Sequence, residues 1–301
     1  MLTIVTSFNR AIWNNHGKTC IESWVRHLRS SPNAQHGASA SPDGGSAMAS
    51  PPAYELHLYI DGPIPSDLPK GDNIHIHWLD NEPEYVKFLT ETRDVTPNPN
   101  IPPEHKFRFE FRRFWPKVFS IKHALYEDKE YNPFLWLDAD ILFKKDLSVE
   151  RILEDVKEEK DSDPEIACLD RGPPWNYMDS GYVLFGNNSA VSNHLIEALY
   201  NIYTTKTLFR FTEWHDAFLM SQVMNILWGD DKGNFVKSLG GMSSSLHPLD
   251  DSWLRDYMTH LKGCLKYGAT QSVEGQQAEL QRATEALDIP ARRLDIPNEG
   301  T

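Results

Sequence analysis

Cysteine is scarce in this chain: three among 301 residues, Cys20, Cys168 and Cys264. They lie far apart and include no Cys-x-x-Cys pair, which excludes a disulfide framework and a cysteine zinc cluster. A free-thiol inventory of this kind fits a reducing cytosol. Long apolar runs are also missing, so nothing in the sequence approaches the length of a membrane span. The chain opens Met1-Leu-Thr-Ile-Val-Thr6 and enters a strand at once, without a basic n-region or an apolar h-region. The expectation is a soluble, cytoplasmic protein with no membrane partner. Basic residues are outnumbered, 30 Lys and Arg against 43 Asp and Glu, for a net charge of -13. That is the wrong sign for coating nucleic acid or an anionic membrane. No glycine-rich phosphate loop follows the first strand, and no internal repeat is found. What is present is a core: 40% hydrophobic and 11% aromatic residues, enough to argue against general disorder.

Short β-branched and apolar runs alternate with helical periodicity, which predicts an α/β fold around a mostly parallel sheet. Leu2 to Phe8 reads as the first strand and ends in the polar turn Ser7-Phe8-Asn9-Arg10. A helix follows over His16 to Leu28. Residues 30 to 53 hold almost no bulky apolar side chain and read as a disordered surface insertion. Tyr54 to Gly62 and Asn73 to Leu79 read as strands. In the second, period-2 alternation puts Ile74, Ile76 and Trp78 on one face. His75 and His77 then form the polar face of a half-exposed strand, a reading preferred to metal ligation. Thr90 to Pro103 reads as a loop. A basic stretch containing Lys106, Arg108, Arg112, Arg113, Lys117 and Lys122 leads into a helix to about Tyr126, with Pro116 in its first turn. Beyond the central strand, the expected elements are a helix over Leu147 to Glu159 and strands at Ile166 to Leu169 and Tyr177 to Gly186. Helices over Ser192 to Tyr203 and Glu213 to Trp228 follow. Residues 1–269 form the expected single domain and 270–301 a polar, partly helical tail.

The chemistry concentrates at Phe134-Leu-Trp-Leu-Asp-Ala-Asp-Ile-Leu-Phe143. Two carboxylates inside an apolar run are not there for stability, because burying an unpaired charge costs several kcal/mol or shifts its pKa. In an extended chain Asp138 and Asp140 project to the same side, and such a pair suits a hard divalent cation bridging to phosphates. The bland alternative ends the strand at Leu137 and leaves both aspartates in a solvated turn. The basic stretch just upstream suits an anionic ligand such as a diphosphate, although a solvated helix face explains most of its cations equally well.

In this order the pieces resemble the nucleotide-sugar glycosyltransferases of the GT-A fold, nearest the glycogenin-like retaining group. Five places between residues 3 and 266 carry the resemblance: Thr3-Ile-Val-Thr-Ser-Phe-Asn9, the basic helix ending near Lys122, Leu135-Trp-Leu-Asp-Ala-Asp140, Tyr177-Met-Asp-Ser-Gly-Tyr-Val-Leu-Phe185, and His260-Leu-Lys-Gly263-Cys-Leu-Lys266. The resemblance implies a GT-A catalytic domain that moves a sugar from a nucleoside-diphosphate sugar, with a UDP-sugar favoured, to an acceptor hydroxyl. It implies Mn²⁺ or Mg²⁺ held by Asp138, Asp140 and His260, with His247 a rival third ligand. It further implies donor contacts from Thr6, Asn9, Arg112, Lys117, Asp138, Ser180, Gly181, Gly263 and Lys266, and catalytic roles for Asp216 and Asp179. Asp179 stands where the family usually has Asn, and Tyr267-Gly268 where it has Pro-Trp. Helix-terminal charge complementation is the competing reading of Asp216. The rival functions are a nucleotidyltransferase or sugar-nucleotide pyrophosphorylase, a haloacid-dehalogenase-type phosphatase, and a non-catalytic sugar-nucleotide-binding module. The acceptor (protein, glycan, small molecule or modified nucleic-acid base) is left open.

Overall fold

The computed structural model describes residues 1–29, 53–97, 99–127, 133–156, 164–171, 177–187, 190–240 and 247–261. The insertion expected at 30–53, apart from Ala53, and the tail at 270–301 lie outside these residues. The strands in chain order are β1 Leu2–Asn9, β2 Leu28–Arg29, β3 Tyr54–Asp61, β4 Ile74–Trp78, β5 Phe134–Leu137, β6 Ile141–Phe143, β7 Leu147–Ser148, β8 Ile166–Leu169, β9 Asp179–Phe185, β10 Val236–Ser238 and β11 Met258–His260. Seven of them form one sheet in the order β10-β8-β9-β5-β1-β3-β4. It is the expected mixed sheet: β5, β1, β3 and β4 run parallel to one another, and β9 is antiparallel to both β5 and β8.

The central strands are apolar on both faces because both faces are covered. On one side Leu2, Ile4, Phe8, Leu56, Leu58, Leu135 and Leu137 pack with Trp24 of the helix Lys18–His27. On the other Val5, Tyr59, Phe134 and Trp136 meet Trp115, Phe119, Leu199 and Met220. Those four come from the helices Phe111–Glu127, Ala190–Thr204 and Asp216–Trp228. The last of these stops at Gly229, which takes a positive φ of 53°, a conformation that costs glycine little.

Four local expectations are revised. Pro116 lies inside the helix Phe111–Glu127 rather than in its first turn. The helix expected from Leu147 begins at Val149 and ends at Leu153, because Leu147 and Ser148 pair with Leu28 and Arg29 as a short strand. The loop expected over Thr90–Pro103 begins later, since the helix Pro83–Glu91 covers its first residues. On β4 the apolar face is covered only at Ile74, which packs against the core, while Ile76 and Trp78 are 46% and 39% exposed. On the histidine face His77 turns inward and stacks on Tyr59 with ring centroids 4.3 Å apart, while the His75 side chain stays 41% exposed.

Candidate active site

β5 ends at Leu137, and Asp138-Ala139-Asp140 forms a turn closed by Ile141 N donating to Asp138 O at 3.0 Å. The expected unbroken strand is therefore corrected. The turn is not solvated either, since Asp140 is 1% exposed. Two features hold it. Asp138 N donates to Gly181 O of β9 at 2.8 Å. After the turn, β6 leaves the main sheet and hangs from the helix Lys18–His27, where Trp24 Nε1 donates to Ile141 O and Phe143 N to Ser23 Oγ.

That displacement creates the second half of the site. β6 pairs antiparallel with β11 and sets His260 opposite Ile141. His260 Nε2 then donates to Asp140 Oδ1 at 2.9 Å. Burial lowers the His260 pKa, but the Asp140 carboxylate more than offsets this, and the net shift is upward.

The helix Phe111–Glu127 contributes one cation, Lys117, buried among acceptors. Its Nζ lies 2.8 Å from Asp138 Oδ1 and 2.6 Å from Asp216 Oδ2, and it donates to Ser180 O and Oγ. Burial would drive off its proton, yet the two carboxylates prevail and the ammonium is held. Asp216 opens the helix Asp216–Trp228 behind the N-cap His215, so the helix-terminal reading describes its place. It is also 2% exposed and accepts from Ser180 Oγ at 2.6 Å. Desolvation would raise its pKa, but Lys117 and the Ser180 hydroxyl bring it below the usual carboxylate value. Asp216 is thus an ionised carboxylate at the site centre.

A second chain of polar groups backs His260. His247 Nδ1 accepts from Leu249 N, which leaves the ring proton on Nε2. That nitrogen lies 3.3 Å from Asp179 Oδ2 and 3.2 Å from His260 Nδ1. His260 is the ring that stands with Asp138 and Asp140, and His247 lies behind it with Asp179. Asp179 also accepts from Gly181 N and pairs with Arg171. Burial opposes its ionisation, but His247 and Arg171 hold it well below the usual carboxylate range. Arg171 escaped the sequence reading. Its signal was a cation just past a buried strand, next to the register shift where β8 meets Asp179.

Direct contacts bring together Lys117, Asp138, Asp140, Asp179, Ser180, Gly181, Asp216 and His260. Thr6 is fully buried in β1, its hydroxyl without a hydrogen-bond partner among the described residues. Asn9 caps the next turn through its side chain. Arg112 donates to the carbonyls of Thr92 and Val95. Arg108, Arg113 and Lys122 pair with Glu213, Glu110 and Glu197. Gly263 and Lys266 lie outside the described residues.

Two sets of ligand atoms converge here, Asp138–Asp140–His260 and Asp179–His247–His260, each within 4.8 Å of one another. The first set, two carboxylates and an imidazole, suits Mn²⁺. Charge agrees: four carboxylates (Asp138, Asp140, Asp179, Asp216) face two fixed cations (Lys117, Arg171), leaving two negative charges for a divalent ion. Space agrees too. A Cβ on Gly181 would lie 2.9 Å from Asp179 Oδ1, 3.1 Å from His260 Cε1 and 3.4 Å from Asp138 Oδ2, so only glycine leaves the carboxylates this close.

No family model matches the chain, and no curated protein matches it. Among solved structures it is similar to mouse xyloside xylosyltransferase 1, at 12% identity and a TM-score of 0.44, covering 79% of this chain and 85% of that one. It is also similar to a glycosyltransferase involved in glycosylation of the major capsid of PBCV-1, at 10% identity and a TM-score of 0.42, covering 92% of this chain and 98% of that one. A third is the galactosyltransferase LgtC, at 14% identity and a TM-score of 0.40, covering 79% of this chain and 73% of that one. At such identities and scores the functional reading rests on the site's own chemistry.

Proposed function

We propose that the chain is a metal-dependent glycosyltransferase of the GT-A type, moving a sugar from a nucleoside-diphosphate sugar, UDP-sugar by preference, to an acceptor hydroxyl. The observation that carries this reading is the meeting of Asp138, Asp140 and His260 beside the buried Lys117–Asp216 pair. Asp138, Asp140 and His260 are the ligands of Mn²⁺ or Mg²⁺, which when bound supplies positive charge to the departing diphosphate. In the reaction, the bond from the anomeric carbon to the diphosphate oxygen breaks, one to the acceptor oxygen forms, and the acceptor's hydroxyl proton passes to the departing diphosphate. Lys117 keeps Asp216 ionised in a water-poor site, where a fixed carboxylate stabilises positive charge developing on the sugar. Ser180 and Gly181 border the donor, and Ser180 Oγ aligns the Asp216 carboxylate. Asp179, already committed to Arg171 and His247, orients His260 through His247 rather than acting on the sugar. A retaining outcome is the favoured one, with Asp216 as the carboxylate that would face the sugar. Arg112, occupied by backbone carbonyls, is the least suited of the expected donor contacts.

The test is UDP release from a panel of UDP-hexoses and UDP-pentoses with Mn²⁺. Release that stops on chelation and is abolished in Asp140→Asn supports the reading. A correctly folded protein that turns over none of them and binds no UDP contradicts it.

A further inference from the structure

A second group of metal-ligating side chains lies on the sheet well away from the site above. Glu55, His57 and Tyr59 occupy one face of β3, and His75 and His77 of β4 stand beside them in register, His57 against His75 and Tyr59 against His77. The group is displaced both across and along the sheet. β1 separates it from β5, and Thr3, which pairs with Glu55, pairs on its other side with Phe134 at the beginning of β5. The active-site aspartates follow the opposite end of that strand.

Glu55 bridges two imidazoles. Its Oε2 is 3.7 Å from His57 Nε2, and its Oε1 is 4.0 Å from His75 Nε2. Both gaps are too long for hydrogen bonds. They are near the spacing of on the order of 3.3 Å that tetrahedral bonds of about 2.0–2.2 Å impose on neighbouring ligands. The three ligand atoms lie within 4.8 Å of one another, and His75 Nε2 is shielded from solvent without a hydrogen-bond partner among the described residues. Behind them stands an outer layer. His77 Nε2 is 3.1 Å from His57 Nδ1, and a proton carried on that Nδ1 leaves the Nε2 lone pair directed toward Glu55. His77 is itself fixed by stacking on Tyr59, whose hydroxyl meets His123 Nδ1 at 2.9 Å. An imidazole ligand oriented through its other nitrogen is the usual arrangement at protein metal sites.

We propose that Glu55, His57 and His75 form a zinc site, with a water in the fourth position, that ties the edge strand β4 to β3. Two imidazoles and one carboxylate are donors that suit Zn²⁺ and do not suit Mg²⁺. The site also gives the histidine face of β4 a role as ligand and support, while Ile76 and Trp78 on the opposite face are left exposed. The proposal is independent of the glycosyltransferase reading.

The experiment is equilibrium dialysis of the full chain against Zn²⁺, with excess Mg²⁺ present to occupy the carboxylate-rich active site. Wild type and Asp140→Asn are each expected to keep one Zn²⁺ per chain. Glu55→Gln and His75→Gln are expected to lose it, and His77→Gln to bind about 10–100-fold more weakly. Imidazole nitrogen NMR of the wild type reads the site without any substitution, and Zn²⁺ should shift the His57 and His75 resonances first. Zinc binding equal in wild type, Glu55→Gln and His75→Gln, or unmoved His57 and His75 signals at saturation, would overturn the proposal.

Discussion

Lys117 is the residue on which most of the site converges. Its ammonium pairs with both Asp138 and Asp216 and ties them to the Ser180 backbone of β9. Removing one partner of a buried ion pair leaves an uncompensated charge, a loss of about 3–5 kcal/mol. Lys117→Met is expected to lose that much in urea unfolding, whereas Lys122→Met, whose pair with Glu197 is partly exposed, should lose about 1 kcal/mol or less. Equal losses would mean that Lys117 is not the buried keystone its contacts describe. Gly181 is the second decisive position. Gly181→Ala forces Cβ against Asp179 and His260, and strain of this kind costs about 1–3 kcal/mol. Calorimetry should find Mn²⁺ affinity reduced at least tenfold, and unchanged affinity would remove the close-approach argument. Thiol chemistry gives a third test. Burial pushes the Cys168 thiol up to about 12, so it should resist alkylation in the native protein at neutral pH, as should buried Cys20. Mass spectrometry reads both, and rapid labelling of either would contradict the packing around it.

At the scale of elements, the site depends on β6 having left the main sheet to meet β11. Ser23 holds it there, accepting from Phe143 N and donating to Cys20 O. Ser23→Ala orphans a buried N–H, at a cost of about 1–3 kcal/mol, and should loosen the His260 strand. Hydrogen exchange is expected to speed up at residues 258–260 relative to 56–60, and uniform exchange across both strands would separate Ser23 from the site. The limits of the sequence are clearest among these elements. β1 and β5 were legible from their apolar runs, β3 from a β-prone run closed by Asp61-Gly62-Pro63, and β9 from the apolar stretch Tyr182 to Phe185. β2, β7 and β11 have two or three residues, too few for any period to register. β4 shows a different limit. Alternation says which side chains share a face but not how deeply each is covered, so the stacking of His77 on Tyr59 was not legible in it. At Asp138–Asp140 the composition was informative and the conformation was not, because a buried turn and a buried strand end draw on the same residues.

Across the whole molecule, the mixed sheet and the cluster of acidic residues were legible from order and composition, since each rests on local runs. The partners of those residues were not. Lys117 meets Asp216 across 99 positions, and Arg171 reaches Asp179 past a register shift; such contacts exist only once the sheet is assembled. No helix of the described residues is long and apolar enough to cross a membrane. The account's central claim is that Asp138, Asp140 and His260 make one divalent-cation site serving a nucleoside diphosphate. Isothermal titration of UDP with and without Mn²⁺, in wild type and Asp140→Asn, addresses it most directly. The account predicts binding that requires Mn²⁺ and disappears in the variant while its fold, read by circular dichroism, persists. UDP binding of equal strength without metal, or retained in Asp140→Asn, would contradict it.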